Sequence, residues 1–161
     1  MRKSILFVVL LFTAGCVFFS TVFKERPHSV LLMTSEVVQN MQEIQKNYEI
    51  ETVRCLTGYT QWDTVFVMSI EPTWMNAQDD VSASFRACEQ EDVVGYYHNH
   101  PGTYEDGVYA SFCGFSPIDY RTFRGLQLEV AILSCNESTL VWMFRDNPRP
   151  ISWTGVPTPP E

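Results

Sequence analysis

His98 and His100 stand two positions apart in Tyr96-Tyr97-His98-Asn99-His100-Pro101, and the chain has only one other histidine, His28. On an extended strand, positions i and i+2 face the same side, so both imidazoles can reach one metal ion. Pro101 ends strand pairing and leaves the second histidine at a loop mouth. Ser116-Pro117-Ile118-Asp119 reads as a helix start, with serine as N-cap, proline at the first helical position and an acid in the first turn. From that turn Asp119 can also project as a third, anionic ligand. Two neutral imidazoles and one carboxylate leave the fourth position of a tetrahedral zinc for water, the pattern of a catalytic site. Such an N/O donor set accepts other divalent ions as well. Glu51 stands in an otherwise apolar stretch, where an unpaired carboxylate is costly to bury. It fits either a solvent-facing strand edge or a general base, and Ser116 could donate to an oxyanion. Taken singly, each piece also has a plain structural reading: surface histidines, a helix start, an edge carboxylate.

Together these segments resemble the signature of the JAMM (MPN⁺) metallopeptidases, H-x-H-P followed by S-x-x-D. Val93-Val94-Gly95-Tyr96-Tyr97-His98-Asn99-His100-Pro101-Gly102 and Ser116-Pro117-Ile118-Asp119 carry the resemblance. Upstream, Glu51-Thr52-Val53-Arg54-Cys55-Leu56-Thr57-Gly58 resembles the family's glutamate strand, which also closes on a glycine seven positions later. The resemblance covers about residues 29–145. It implies that His98, His100 and Asp119 bind one Zn²⁺, that Glu51 is the acid/base and that Ser116 is the oxyanion contact. Known members are metallopeptidases, many cleaving peptide or isopeptide bonds at the C-terminus of ubiquitin or ubiquitin-like proteins, with prokaryotic relatives acting on related small proteins. The implied partner is therefore a polypeptide, such as the tail of a small ubiquitin-like protein. Three departures stand out. The fourteen residues 102–115 separating Pro101 from Ser116 exceed the family's spacing, with 104–109 placed to cover or reshape a cleft; Arg54 stands where many members have glycine. An exported location would also remove the usual ubiquitin substrate, at least in bacteria.

These residues need elements to hold them. Residues 29–33 read as a short strand, and Thr34 or Ser35 as the N-cap of a helix running to about Lys46, with Val37, Val38, Met41 and Ile44 on one stripe. Residues 49–56 read as a strand ending at Gly58, with 63–70 as its hairpin partner. A weaker helix candidate covers 81–90, a strand 93–98, a helix starts at Pro117, and strands cover 128–134 and 139–144. This order predicts an α/β fold: a single mixed β-sheet with flanking helices, the MPN or cytidine-deaminase-like architecture, preceded by an N-terminal transmembrane or signal-anchor helix. The divisions are 1–26 for the membrane anchor or signal segment, 27–146 for the metallopeptidase domain, and 147–161 for a tail that carries five of the nine prolines.

Residues 5–23 carry no charge over nineteen positions, about 28 Å at a helical rise and close to a bilayer core. The flanking Arg2 and Lys3 favour a cytoplasmic N-terminus and an extracytoplasmic domain. Two other readings fit: a lipoprotein, through Cys16 in Thr13-Ala14-Gly15-Cys16, or a cleaved signal peptide and secretion. Cys55, Cys88, Cys113 and Cys135 permit two disulfides in any of three pairings. Residues 27–161 hold seven basic and eighteen acidic residues, a net charge of −11. Such a surface repels phosphate backbones and speaks against nucleic-acid binding. A metallopeptidase is the leading expectation; a non-catalytic MPN-type binding or scaffold module and a cell-wall peptide hydrolase are the alternatives.

Overall fold

A computed structural model describes residues 27–47, 50–73, 75–78, 83–86, 88–100, 103–105, 108–110, 113–136 and 138–154. Its centre is a seven-stranded mixed sheet curled into a half-barrel. Strands β1 (Val30–Met33), β2 (Val53–Gln61), β3 (Thr64–Pro72), β6 (Val93–Asn99), β9 (Val130–Asn136), β10 (Thr139–Phe144) and β11 (Ile151–Thr154) form it, in the order β1-β3-β2-β6-β9-β10-β11. The β1/β3 and β6/β9 pairs are parallel and the remaining pairs antiparallel. Two small hairpins stand outside it: β4 (Met75–Gln78) with β5 (Ala83–Phe85), and β7 (Thr103–Glu105) with β8 (Val108–Ala110).

Alternation along β9 separates two cores. Val130 and Ile132 join Val37 and Met41 of helix α1 (Ser35–Asn47), together with Leu56, Val65, Val67, Tyr97 and Phe144. Ala131, Leu133 and Cys135 face the other way, toward Phe123 of helix α2 (Pro117–Leu126), Phe115, Tyr96 and Met143. The apolar stripe read for the first helix is the buried one: Val37 and Met41 are 1% and 0% exposed, with Val38 and Ile44 packed beside them. Thr34 caps that helix, its hydroxyl accepting from the Val37 N–H at 3.3 Å.

The expected α/β fold, with flanking helices in an MPN or cytidine-deaminase-like arrangement, is corrected here. The protein is mostly β, with only two short helices among the described residues. The segments 81–90 and 102–115 contain paired strands. Within 81–90, Ala83–Phe85 is a strand against Met75–Gln78, because two serines in a short stretch favour helix weakly and cross-strand pairing decides. The 102–115 insertion contains the β7/β8 hairpin. Within the tail, Ile151–Thr154 adds to the sheet as its edge beside β10, and 155–161 lie outside the described residues. No helix among the described residues is long and apolar enough to cross a membrane. The segment 1–26, with Cys16, lies outside the described residues.

Boundaries around β2 also differ. The strand does not stop at Gly58 but passes through it on a bulge, the register shifting between Thr57 and Gly58. Only glycine serves there, since a Cβ would collide with the Phe66 carbonyl oxygen. At its other end β2 starts at Val53, so Glu51 lies just ahead of the ladder rather than inside a strand. Thr52 N–H explains this, donating to the Asn99 side chain instead of a backbone carbonyl. The four cysteines pair as Cys55–Cys88 and Cys113–Cys135.

Candidate metal centre

His98 sits near the C-terminal end of β6, paired with Val53 of β2 on one side and Leu133 of β9 on the other. Two of three strands meeting there run parallel, which brings the end of β6 and the end of β9 to one rim of the sheet. His98 is 1% exposed, and neither of its ring nitrogens has a hydrogen-bond partner among the described residues. A buried imidazole with both nitrogens unmet is costly unless something else engages them. Tyr96 stacks on the ring at 5.7 Å between centroids and Phe115 packs at 5.8 Å, so apolar walls fix its orientation.

His100 follows on the same side, its ring centroid 5.0 Å from that of His98. Its backbone is fixed from two directions: the N–H donates to Ser134 O at 3.1 Å, and its carbonyl accepts from Gln45 Nε2 at 3.3 Å. Gln45 Oε1 in turn accepts from Ser134 Oγ at 2.6 Å, and the Tyr97 hydroxyl lies 2.6 Å from that same serine oxygen. Burial pushes the Tyr97 phenol up, Ser134 and Arg54 partly opposing it, so the hydroxyl stays protonated within this network.

Glu51 is buried at 9% exposure. Asn99 N–H donates to Thr52 O at 3.3 Å, and continuing that register from the Val53–His98 pair brings Glu51 opposite His100. Ligand atoms of Glu51, His98 and His100 all lie within 4.8 Å of one another, a group that could hold a metal ion.

Asp119 approaches from the first turn of α2. Its Oδ1 lies 3.5 Å from His98 Nε2 and its Oδ2 4.0 Å from His100 Nε2. These separations are longer than hydrogen bonds. Two atoms bound tetrahedrally at zinc distances stand about 3.3–3.5 Å apart; the His98–Asp119 separation fits that spacing and the His100–Asp119 separation is wider. The helix-start and ligand readings of this residue are compatible. Asp119 Oδ2 accepts from Ser116 N–H at 2.6 Å while Ser116 Oγ accepts from Asp119 N–H at 3.2 Å, a reciprocal capping box that aims the other carboxylate oxygen at His98. Burial alone would raise the Asp119 carboxyl. The adjacent His98 imidazole and the Ser116 N–H and hydroxyl outweigh it and hold the carboxyl at about 2. Burial, reinforced by the charges of Asp119 and Glu51, pushes the Tyr96 phenol well up, and its hydroxyl donates to Asp119 O at 3.4 Å.

Of the residues singled out in the sequence, Glu51, His98 and His100 form the compact donor group, Asp119 stands outside it beside both imidazoles, and Ser116 caps Asp119. Asn99 and Gln45 were not singled out. Each carried a signal: asparagine is disfavoured in a strand interior, and Gln45 continues the Val37, Met41 phase of α1 as a polar side chain on a buried stripe, 6% exposed. No family model matches the chain, and no curated protein matches it.

Proposed function

We propose that this chain is a zinc-dependent metallopeptidase of the JAMM type, hydrolysing a peptide or isopeptide bond in a polypeptide substrate such as a small-protein tail. The observation that carries this reading is the buried His98, with no hydrogen bond at either ring nitrogen among the described residues and with Nε2 facing the Asp119 carboxylate, in a group with His100 and Glu51. His98, His100 and Asp119 would hold the ion. Zinc held there would supply a water of pKa about 7 and polarise the scissile carbonyl. Glu51 accepts a proton from the attacking water and delivers it to the leaving nitrogen, a role its burial and its position opposite His100 suit. The Ser116 hydroxyl uses its oxygen as a cap acceptor, which leaves its proton to donate to the oxyanion of the substrate. The two disulfides favour an oxidising, extracytoplasmic location. The −11 balance of residues 27–161 suits neutral or basic polypeptides and not nucleic acid.

One observation favours a second reading. Glu51 is close enough to both imidazoles to join them as a ligand. With Asp119 as well, four protein donors would close the site, as in a structural centre, and the domain would be a non-catalytic binding or scaffold module. Glu51→Gln separates the two. A general base gives a variant that keeps its zinc but releases new amino termini from a peptide library about 10²–10⁴-fold more slowly. Loss of zinc together with an inactive parent chain would establish the closed site instead.

A further inference from the structure

The residue between the two histidines is fully buried, and its backbone N–H and both side-chain polar atoms bond to one stretch of the neighbouring chain. Asn99 N–H donates to Thr52 O at 3.3 Å, Asn99 Oδ1 accepts from Thr52 N–H at 2.7 Å, and Asn99 Nδ2 donates to Ile50 O at 3.4 Å. Ile50 and Thr52 are the two neighbours of Glu51. Strand alternation turns the Asn99 side chain away from the face that His98 and His100 share, so it grips the backbone without taking a ligand's place. A carboxamide offers an acceptor for one flank and a donor for the other, on two separate atoms, while remaining uncharged. Residues 50–52 precede the β2 ladder, so these bonds stand in for strand pairing where the carboxylate must be held.

We propose that Asn99 is the positioning residue of the centre, a clamp that holds the Glu51 carboxylate in register with the two imidazoles. The inference rests on the metal-centre reading given above and adds the residue on which the placement of Glu51 depends. Because the clamp acts through Glu51, its removal counts only while Glu51 is present.

The test uses the full disulfide-bonded chain with Co²⁺ as a spectroscopic probe, reading the Co²⁺ dissociation constant and the pH midpoint of the visible absorption change. Asn99→Ala is expected to reproduce the effect of Glu51→Gln, a shifted pH midpoint where Glu51 acts as the base, with any loss in affinity held to about 10–100-fold at most. Adding Asn99→Ala to Glu51→Gln should change neither quantity by more than about twofold. Asn99→Asp, which keeps the acceptor for Thr52, should recover part of the parent behaviour. If Asn99→Ala does not fold, Asn99→Leu, of similar size, carries the same comparison. An Asn99 variant indistinguishable from a parent that Glu51→Gln does alter overturns the clamp, as does a double variant about tenfold or more below Glu51→Gln. So does a Glu51→Gln chain identical to the parent. A parent chain that takes up neither Co²⁺ nor Zn²⁺ overturns the metal reading itself, a result distinct from any of these.

Discussion

At the scale of single residues, one carboxylate both caps a helix and faces the imidazoles of the candidate site. Asp119 closes a capping box with Ser116 through Oδ2 and turns Oδ1 toward His98. Ser116→Ala removes the hydroxyl that accepts the Asp119 N–H and should cost about 1 kcal/mol of stability. If Ser116 also donates to the oxyanion, the same variant should lower the turnover of a peptide substrate about 10²-fold. Thermal melting and turnover measured side by side separate the two effects: a variant destabilised but fully active leaves Ser116 as a cap only. The candidate ligands were legible in the sequence because histidine, carboxylate and N-cap chemistry depends on residue type and short spacing. Asn99 was not, because its partners lie 47 and 49 positions away and only the paired backbone brings them near.

At the scale of elements, the site depends on the junction of β2, β6 and β9. Gly95 allows β6 and β9 to approach: a Cβ there would meet the Val130 carbonyl oxygen and side chain, within the parallel pair that carries His98 against Leu133. Gly95→Ala should therefore destabilise the fold by about 1–3 kcal/mol, read as a lower midpoint in urea, and should weaken metal binding in proportion to any displacement of β6. Both helices were readable, since capping signals and the 3.6-residue stripe are local. So were the β2/β3 hairpin and β6, through alternation and β-branched composition. The β4/β5 and β7/β8 hairpins and the edge strand Ile151–Thr154 were not, because three- and four-residue strands carry too few positions to show a period. The parallel β1/β3 and β6/β9 pairings were equally hidden, as partner choice depends on tertiary packing rather than on local sequence.

For the whole molecule, a mostly β sheet with two modest cores is reinforced by covalent ties. Cys55–Cys88 closes 33 residues and Cys113–Cys135 closes 22, the latter anchoring the stretch that leads into Ser116 to the end of β9. The chain-entropy relation gives each about 3–4 kcal/mol. Reduction with dithiothreitol should thus lower the melting temperature sharply, and Cys113→Ser with Cys135→Ser should loosen the approach to α2 more than the paired change at Cys55 and Cys88. Metal should act in the same direction, since an ion bound only by the folded state adds about 2.7 kcal/mol at a hundredfold excess over its Kd. The most direct measurement is the zinc content of residues 27–161, purified with both disulfides intact, beside the same chain carrying His100→Ala. About one zinc per parent chain and almost none in the variant is the expected result. A parent that binds no zinc, or a variant that binds it as tightly as the parent, would contradict a shared ion at His98, His100 and Asp119.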